Sequence, residues 1–172
     1  MPDIQIPVFG STDELLLKLL RDFFEGQNVH IGTLYSEEIE PPMILARAER
    51  RSGGLTENVS DERFLHAALV SISTIASGVD ADEVAEELQE AVRICLRQAQ
   101  INQTVVPNGG VINKIANSSS PSRVSDFATS TGVVQYASLP AGWVRYESAW
   151  RLILRSPPKS TITNRFLTTP EP

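Results

Sequence analysis

The chain has 172 residues, of which 41% are hydrophobic and 21% are charged, and its formal net charge is −6. A chain of this length and composition folds as one domain with a hydrophobic core, which excludes a wholly disordered protein. The negative net charge argues against a general DNA- or RNA-binding protein, because such proteins present a dominant basic face.

The first predicted element is an amphipathic helix. Ser11 and Glu14 have the spacing of a capping box, in which the serine hydroxyl and the glutamate carboxylate bind free amides at a helix start. The apolar stripe over residues 15–24 is broad enough to be buried on more than one side. Residues 28–35, NVHIGTLY, then predict a short strand that is followed by an acidic turn.

The next strand is predicted within PPMILARAERRSGG, residues 41–54. Its first half is apolar, and its second half carries arginines and then glycines: Arg47, Arg50, Arg51, Gly53 and Gly54. A phosphate-binding loop would need Lys-Ser or Lys-Thr and a helix directly after the glycines, and neither follows. A nucleic-acid contact is disfavoured by the acidic half of the chain around it. The remaining interpretation is a strand whose basic end meets the carboxylates of a neighbouring molecule.

A long strand and a second helix are predicted in the middle of the chain. The strand covers residues 63–77, and we expect its burial to decrease along its length because Ser71 and Ser73 make one face polar. Asp80 begins a second capping box. The helix over residues 81–100 has apolar side chains at the spacing of one helical face.

The last third of the chain contains a short strand (111–116), a long polar loop (117–132) and a segment with brief strand pairing (133–137). The closing strand (142–156) has the clearest alternation of apolar and charged side chains. Its charged face carries Arg145, Glu147, Arg151 and Arg155. Residues 157–172 lack a periodic pattern, so we expect an extended or disordered tail there.

This order of elements predicts an α+β fold. We expect a mostly antiparallel or mixed sheet of about four to six strands, with the two main helices packed on one face, in a single domain over residues 1–156. Residues 1–100 contain 18 acidic and 8 basic side chains, whereas residues 101–172 contain 3 and 7. This asymmetry either helps copies of the chain to associate head-to-tail or disappears when the two halves interleave in the fold.

No set of residues has the spacing of a catalytic, cofactor or metal site. His30 and His66 lie on predicted strands, where structural roles are more common than catalytic ones. Cys95 lies on the apolar face of the second helix and cannot form an intramolecular disulfide, since it is the only cysteine. The acidic turn at residues 37–40 lacks the pattern of a calcium loop. We therefore expect a binding or structural role, with no cofactor and no metal.

Targeting signals are also not apparent. No apolar run approaches the roughly 20 residues that span a bilayer, so we expect no membrane association. The first ten residues, MPDIQIPVFG, lack a basic start and a long apolar middle, so we expect no secretory signal. Synthesis in a reducing cytoplasm follows from both expectations.

The elements together resemble the tail terminator, or tail completion, proteins of long non-contractile-tailed bacteriophages, in particular siphophages of actinobacterial hosts. Residues 11–156 carry the resemblance in the segments DELLLKLLRDFF, VHIGTL, PPMILARAERRSGG, SDERFLHAALVSIST, DADEVAEELQEAVRICL, GGVINKIA and WVRYESAWRLILR. The match rests on element order and on the proline–strand–arginine–glycine stretch, and it includes no catalytic motif. The loop at 117–132 is longer and richer in serine than the family pattern.

The resemblance implies a structural virion protein at the head–tail junction, made in the host cytoplasm. Such a protein forms a ring, usually of six copies, that caps the head-proximal end of the tail tube and stops its polymerisation. Its partners are other copies of itself, the major tail tube protein and the head-completion (stopper) protein. The genome passes through the lumen of the ring without sequence-specific binding.

For this chain we expect the subunit or partner interface to use basic and glycine residues from three predicted segments. They are Arg47, Arg50, Arg51, Gly53, Gly54, Arg123, Arg145, Arg151 and Arg155. Two alternatives stay open at this point. One is another neck component, such as a head–tail connector or a stopper protein. The other is a small enzyme whose site the sequence does not reveal.

Overall fold

The computed structural model describes residues 10–36, 38–52, 65–124 and 139–156. Two helices and six strands lie within these ranges. In chain order they are α1 (Thr12–Phe23), β1 (His30–Gly32), β2 (Met43–Ser52), β3 (Leu65–Ser77), α2 (Ala81–Ile101), β4 (Val111–Ser118), β5 (Ser122–Arg123) and β6 (Trp143–Arg155).

The six strands belong to one sheet, in the order β1-β2-β3-β6-β4, with β5 also paired to β6. β1 runs parallel to β2, and the other pairings are antiparallel. β3 and β6 have 13 residues each and pair along their full length at the centre of the sheet. The predicted α+β class, with a mixed sheet of four to six strands and two helices, is confirmed.

Helix α1 begins at a serine cap, and a side chain in its first turn forms a hydrogen bond with the sheet. Ser11 has an extended backbone, and its Oγ accepts a hydrogen bond from the Glu14 amide at 3.3 Å, which confirms the serine half of the predicted capping box. The Ser11 amide donates to the Asn108 carbonyl, where the capping box would have the Glu14 carboxylate. The carboxylate of Asp13 accepts a hydrogen bond from the Ala48 amide of β2 at 2.6 Å. The buried side chains of the helix are Thr12, Leu15, Leu16, Leu19 and Leu20.

Helix α2 starts without the predicted side-chain cap. Asp80 makes no side-chain capping bond, and its backbone (φ −100°, ψ 24°) lies outside the extended region that a capping residue adopts. The capping-box prediction is therefore wrong. Asp82 and Glu83 in the first turn still favour the helix, because their charges complement the helix dipole.

The main core lies between the two helices and one face of the sheet. In β3 and β6 the residues with even numbers point towards the helices; Ile72 and Leu152 are fully buried there. Burying an aliphatic side chain of this size contributes roughly 1.5–3 kcal/mol. This layer is therefore the main source of hydrophobic stabilisation.

A buried glutamine fixes α2 over the two central strands. Gln89 is 1% exposed, and its amide nitrogen donates to the carbonyls of Ile72 at 3.1 Å and Tyr146 at 3.3 Å. Its amide oxygen accepts from the Ser148 hydroxyl at 2.7 Å, and that hydroxyl accepts from Trp150 Nε1 at 2.9 Å. Because each of these groups is buried and bonded, the network specifies the position of the helix.

The opposite face of the sheet, which we call the outer face, carries a smaller apolar cluster at one end. Met43, Leu45 and Ile75 are buried in this cluster. Tyr35 and Trp143 pack against it, with their ring centroids 6.1 Å apart in an edge-to-face arrangement. One end of the outer face is thus covered by the chain itself.

β3 remains buried along most of its length. Ser71 and Ser73, on the outer face, are 5% and 3% exposed. Ser71 Oγ donates to Glu147 at 2.8 Å, and Ser73 Oγ accepts from Arg145 Nε at 3.3 Å. The prediction that burial decreases along this strand is wrong, because the polar side chains of β3 are covered by charged partners on β6.

Several predictions concern residues outside the described ranges. They include the turn after β2, the second half of the predicted loop (residues 125–132), the segment 133–137 and the tail 157–172. The first part of that loop differs from the prediction. β4 continues to Ser118, and β5 adds two residues that pair with Glu147 and Tyr146 of β6.

Candidate interaction surface

The single cysteine has the environment of a core residue. Cys95 is buried, and its Sγ lies 3.5 Å from the Leu19 carbonyl oxygen. Burial, with a smaller contribution from the Asp22 charge, raises the pKa of this thiol to about 12. The thiol therefore stays protonated at neutral pH, whereas nucleophilic attack and metal binding both require the thiolate.

Among the described residues, no three His, Cys, Asp or Glu side chains are grouped so that they could hold a metal ion. No helix of the described part of the chain is long and apolar enough to cross a membrane.

A groove with a volume of about 510 Å³ runs along the first turns of α1. Its polar lining includes Ser11 and Asp13. The hydroxyl of Ser11 already caps the helix, and the carboxylate of Asp13 already binds the Ala48 amide. These groups hold α1 in place, so we assign no ligand to the groove.

Arg145 lies inside the protein. The Arg145 and Glu147 side chains are 5% and 4% exposed, and Arg145 Nη2 lies 2.8 Å from Glu147 Oε2. Ser71 and Ser73 bind the same pair from β3. A guanidinium that is buried and bonded in this way supports the sheet of its own chain, so Arg145 is not part of the surface described below.

Arg123 is exposed and bound within its own chain. Its guanidinium forms an ion pair with Asp82 at 3.2 Å, and both side chains are more than half exposed. The pair joins β5 to the first turn of α2. An exposed ion pair of this kind contributes little stability, about 0–1 kcal/mol.

Arg50 and Arg51 lie in β2, where their backbones pair with Leu69 and Ala68 of β3. A bulge interrupts the register between Ala48 and Arg50. Gly53 and Gly54 lie outside the described residues.

The remaining predicted arginines lie on the half of the outer face away from the apolar cluster. Strand register assigns Arg47, Arg151 and Arg155 to this half, because Arg47 pairs with Ser71 and Arg151 pairs with Leu69. Leu69 is 39% exposed, which is unusual for a leucine in a central strand. We call these residues, with Lys114, the sheet patch: Arg47, Leu69, Lys114, Arg151 and Arg155.

The cations of the sheet patch form no ion pair in the described part of the chain. This holds for Arg47, Lys114, Arg151 and Arg155. Arginine is enriched in protein–protein interfaces, and the exposed Leu69 adds apolar area to the same surface. The sheet patch is therefore the strongest candidate for an interaction surface in the described part of the chain.

Sequence reasoning missed two members of the sheet patch. Lys114 reaches the outer face because it pairs with Ile153, after a bulge between Ile112 and Lys114. Leu69 occupies a strand position that the sequence pattern marks as buried. Both residues can be assigned to the outer face once the register of their strands against the strand of Arg151 is known. A single sequence does not provide that register.

Two comparisons with known proteins were made for the whole chain. No protein-family model matches it, and no curated protein matches it.

Proposed function

We propose that this chain is a structural virion protein, the tail terminator of a bacteriophage with a long non-contractile tail. In this role, copies of the chain form a ring, usually of six, on the head-proximal end of the tail tube. The ring stops tube polymerisation and provides the surface to which the head-completion protein binds. The site of action is the head–tail junction of the virion.

The observation that supports the proposal most is the sheet patch. Four cations that form no ion pair within the described residues share the sheet face opposite the helices with the exposed Leu69. A protein that acts by assembly needs an exposed surface that binds its partner, and arginine is among the residues that contribute most binding energy at interfaces. The α+β fold with two helices is also the fold that the resemblance implies.

The charge of the chain is compatible with a conduit for DNA. The formal net charge is −6, so a ring of copies repels the DNA backbone overall. A lumen without a dominant basic lining lets DNA slide, whereas a basic lining would retain it. The proposed role therefore includes no sequence-specific DNA contact and no catalytic step.

The test is a tube-length assay with the major tail tube protein of the same phage. The tube protein is polymerised with increasing amounts of this chain, and tube lengths are measured by negative-stain electron microscopy. We expect shorter tubes as the ratio rises, since a capped end adds no further subunits. Unchanged tube lengths at every ratio, with no chain bound to the tubes, would contradict the proposal. Binding to the stopper protein alone would favour another neck component.

A further inference from the structure

Helix α2 presents a second charged surface, on the side away from the sheet. Glu83, Glu87, Glu90 and Ile94 follow one another at intervals of four, three and four residues, so they lie on one face of the helix. All four are exposed, and Ile94 is 37% exposed. We call this surface the helix patch.

Two of the three carboxylates of the helix patch form no ion pair with another described residue. Glu90 pairs with Arg93, whose guanidinium holds the pKa of the Glu90 carboxyl below its ordinary value. Glu83 and Glu87 form no ion pair within the described part of the chain. The surface thus combines available carboxylates with one exposed aliphatic side chain.

The two patches lie on opposite sides of the molecule. α2 packs on the sheet face that holds the main core, and its buried residues face that core. The sheet patch occupies the other face of the same sheet. Among the described residues, one side of the protein carries the cations of the sheet patch with Leu69. The reverse side carries Glu83 and Glu87 in the first half of α2, with Ile94 further along the helix, where Arg93 and Arg97 are also exposed.

We propose that the sheet patch of one copy docks on the helix patch of a second copy, head-to-tail. In this contact Arg151 and Arg155 face the carboxylates of Glu83 and Glu87, and Leu69 packs near Ile94. A contact between two different surfaces of identical chains repeats from copy to copy. It gives an open stack where the two surfaces are directly opposed, and it closes into a ring where each contact adds a rotation. The inference rests on one part of the proposed function, namely that copies of the chain assemble with one another.

Charge complementarity favours a second copy over nucleic acid as the occupant of the sheet patch. The chain carries its own acidic counterpart on the reverse side, with an aliphatic side chain in each surface. A DNA backbone would match the cations, but it would leave Leu69 without an apolar partner. The acidic helix patch would also repel DNA from any assembly that exposed it.

The test uses two charge-reversed variants of the full chain. The sheet variant carries Arg151→Glu and Arg155→Glu, and the helix variant carries Glu83→Lys and Glu87→Lys. Each variant alone brings like charges together at the contact. We expect each to associate at least about tenfold more weakly than the unmodified chain in sedimentation velocity at low salt. Circular dichroism melting of each variant checks that it is folded.

Mixing the two variants is the decisive step. In an alternating assembly every contact again joins a basic surface to an acidic one, so we expect the equimolar mixture to recover the association of the unmodified chain. An alternating ring requires an even number of copies, which six satisfies. A mixture that associates no better than the variants alone would overturn the proposed contact.

A matched control and a DNA measurement separate the remaining outcomes. A variant with Glu14→Lys and Glu25→Lys on and beside α1 has the same charge change as the helix variant, and we expect it to associate normally. Binding to a fluorescent DNA duplex is measured by anisotropy. DNA binding that only the sheet variant loses, with its self-association unchanged, would overturn the proposal and assign the sheet patch to DNA.

The outcomes also distinguish this inference from the proposed function. If the unmodified chain and both variants shorten tail tubes equally, the proposed function stands and the head-to-tail contact is wrong. If the unmodified chain neither self-associates nor binds tubes, both are wrong.

Discussion

Arg145 and Glu147 show how much the position of one residue on a strand changes its role. Both were expected on the charged face of the closing strand, together with Arg151 and Arg155. The first two are buried and bonded to each other and to serines of β3, whereas Arg155 is exposed. Two arginines of the same strand therefore have different roles. Arg145 stabilises the fold, whereas Arg155 at the end of the strand is exposed to a partner.

We predict that Glu147→Ala lowers the free energy of unfolding by about 3 kcal/mol, as measured by urea denaturation. The substitution removes the carboxylate that lies 2.8 Å from Arg145 Nη2 in a site with little access to water. Glu87→Ala, on the exposed side of α2, is the control and is expected to change stability by less than about 0.5 kcal/mol. Equal effects of the two substitutions would show that the buried pair contributes no more than a surface charge.

Cys95 gives a prediction about alkaline pH. Its pKa is raised to about 12 in the folded protein, so the unfolded thiol ionises first as pH rises. Folding favours the protonated thiol. Its contribution to the free energy of unfolding is therefore fully present below the ordinary thiol pKa and decreases as pH rises above that value. Between about pH 8 and pH 10, the unmodified chain should lose about 1 kcal/mol more stability than Cys95→Ala does. Parallel pH profiles in urea denaturation would contradict this assignment.

At the scale of secondary-structure elements, α1 is held by close backbone contact with the turn before β4. The Ser11 amide donates to the Asn108 carbonyl at 2.8 Å. A Cβ atom on Gly109 would lie 2.8 Å from both Cα and Cβ of Leu15, which is closer than real Cβ contacts allow. The turn therefore requires glycine at this position for α1 to reach the core.

We predict that Gly109→Ala lowers the melting temperature, with a loss of about 1–3 kcal/mol, because the new methyl group pushes α1 away from the turn. Gly32→Ala is the matched control, since the nearest atom to its added Cβ is His30 Nε2 at 3.2 Å, on a side chain that can move. Thermal melting by circular dichroism measures both. A Gly109 variant that melts at the same temperature as the Gly32 variant would contradict this account of the packing.

The elements that sequence patterns predicted correctly are those with a local signal. The apolar stripes of α1 and α2 and the alternation along β6 can be recognised from residues that are close together in the sequence. The burial of Ser71 was not predictable, because its partner Glu147 lies 76 residues away in the chain. The place of Lys114 in the sheet patch was not predictable either, since it depends on bulges that set the register of β4 against β6.

At the scale of the whole molecule, the described residues carry opposite charges on the two sides of the sheet. Glu83 and Glu87 of α2 are exposed on the helix side, and Arg151 and Arg155 of β6 lie on the outer face. This separation does not follow the two halves of the sequence, because Arg47 from the acidic first half also lies on the outer face.

Because the proposed contact joins the basic sheet patch to the acidic helix patch, we predict that self-association depends on the salt concentration. Screening shortens the range of charge interactions from roughly 10 Å at about 0.1 M salt to roughly 3 Å at about 1 M. We expect the assemblies seen by sedimentation velocity at low salt to dissociate as salt is raised. Assemblies that become more stable at high salt would point to an apolar interface elsewhere on the molecule.

Negative-stain electron microscopy tests the central claim most directly. The full chain is imaged alone at high protein concentration and after mixing with tubes of the major tail tube protein. We expect ring-shaped particles in the first sample and a ring at one end of each tube in the second. Monomers alone in both samples would contradict it.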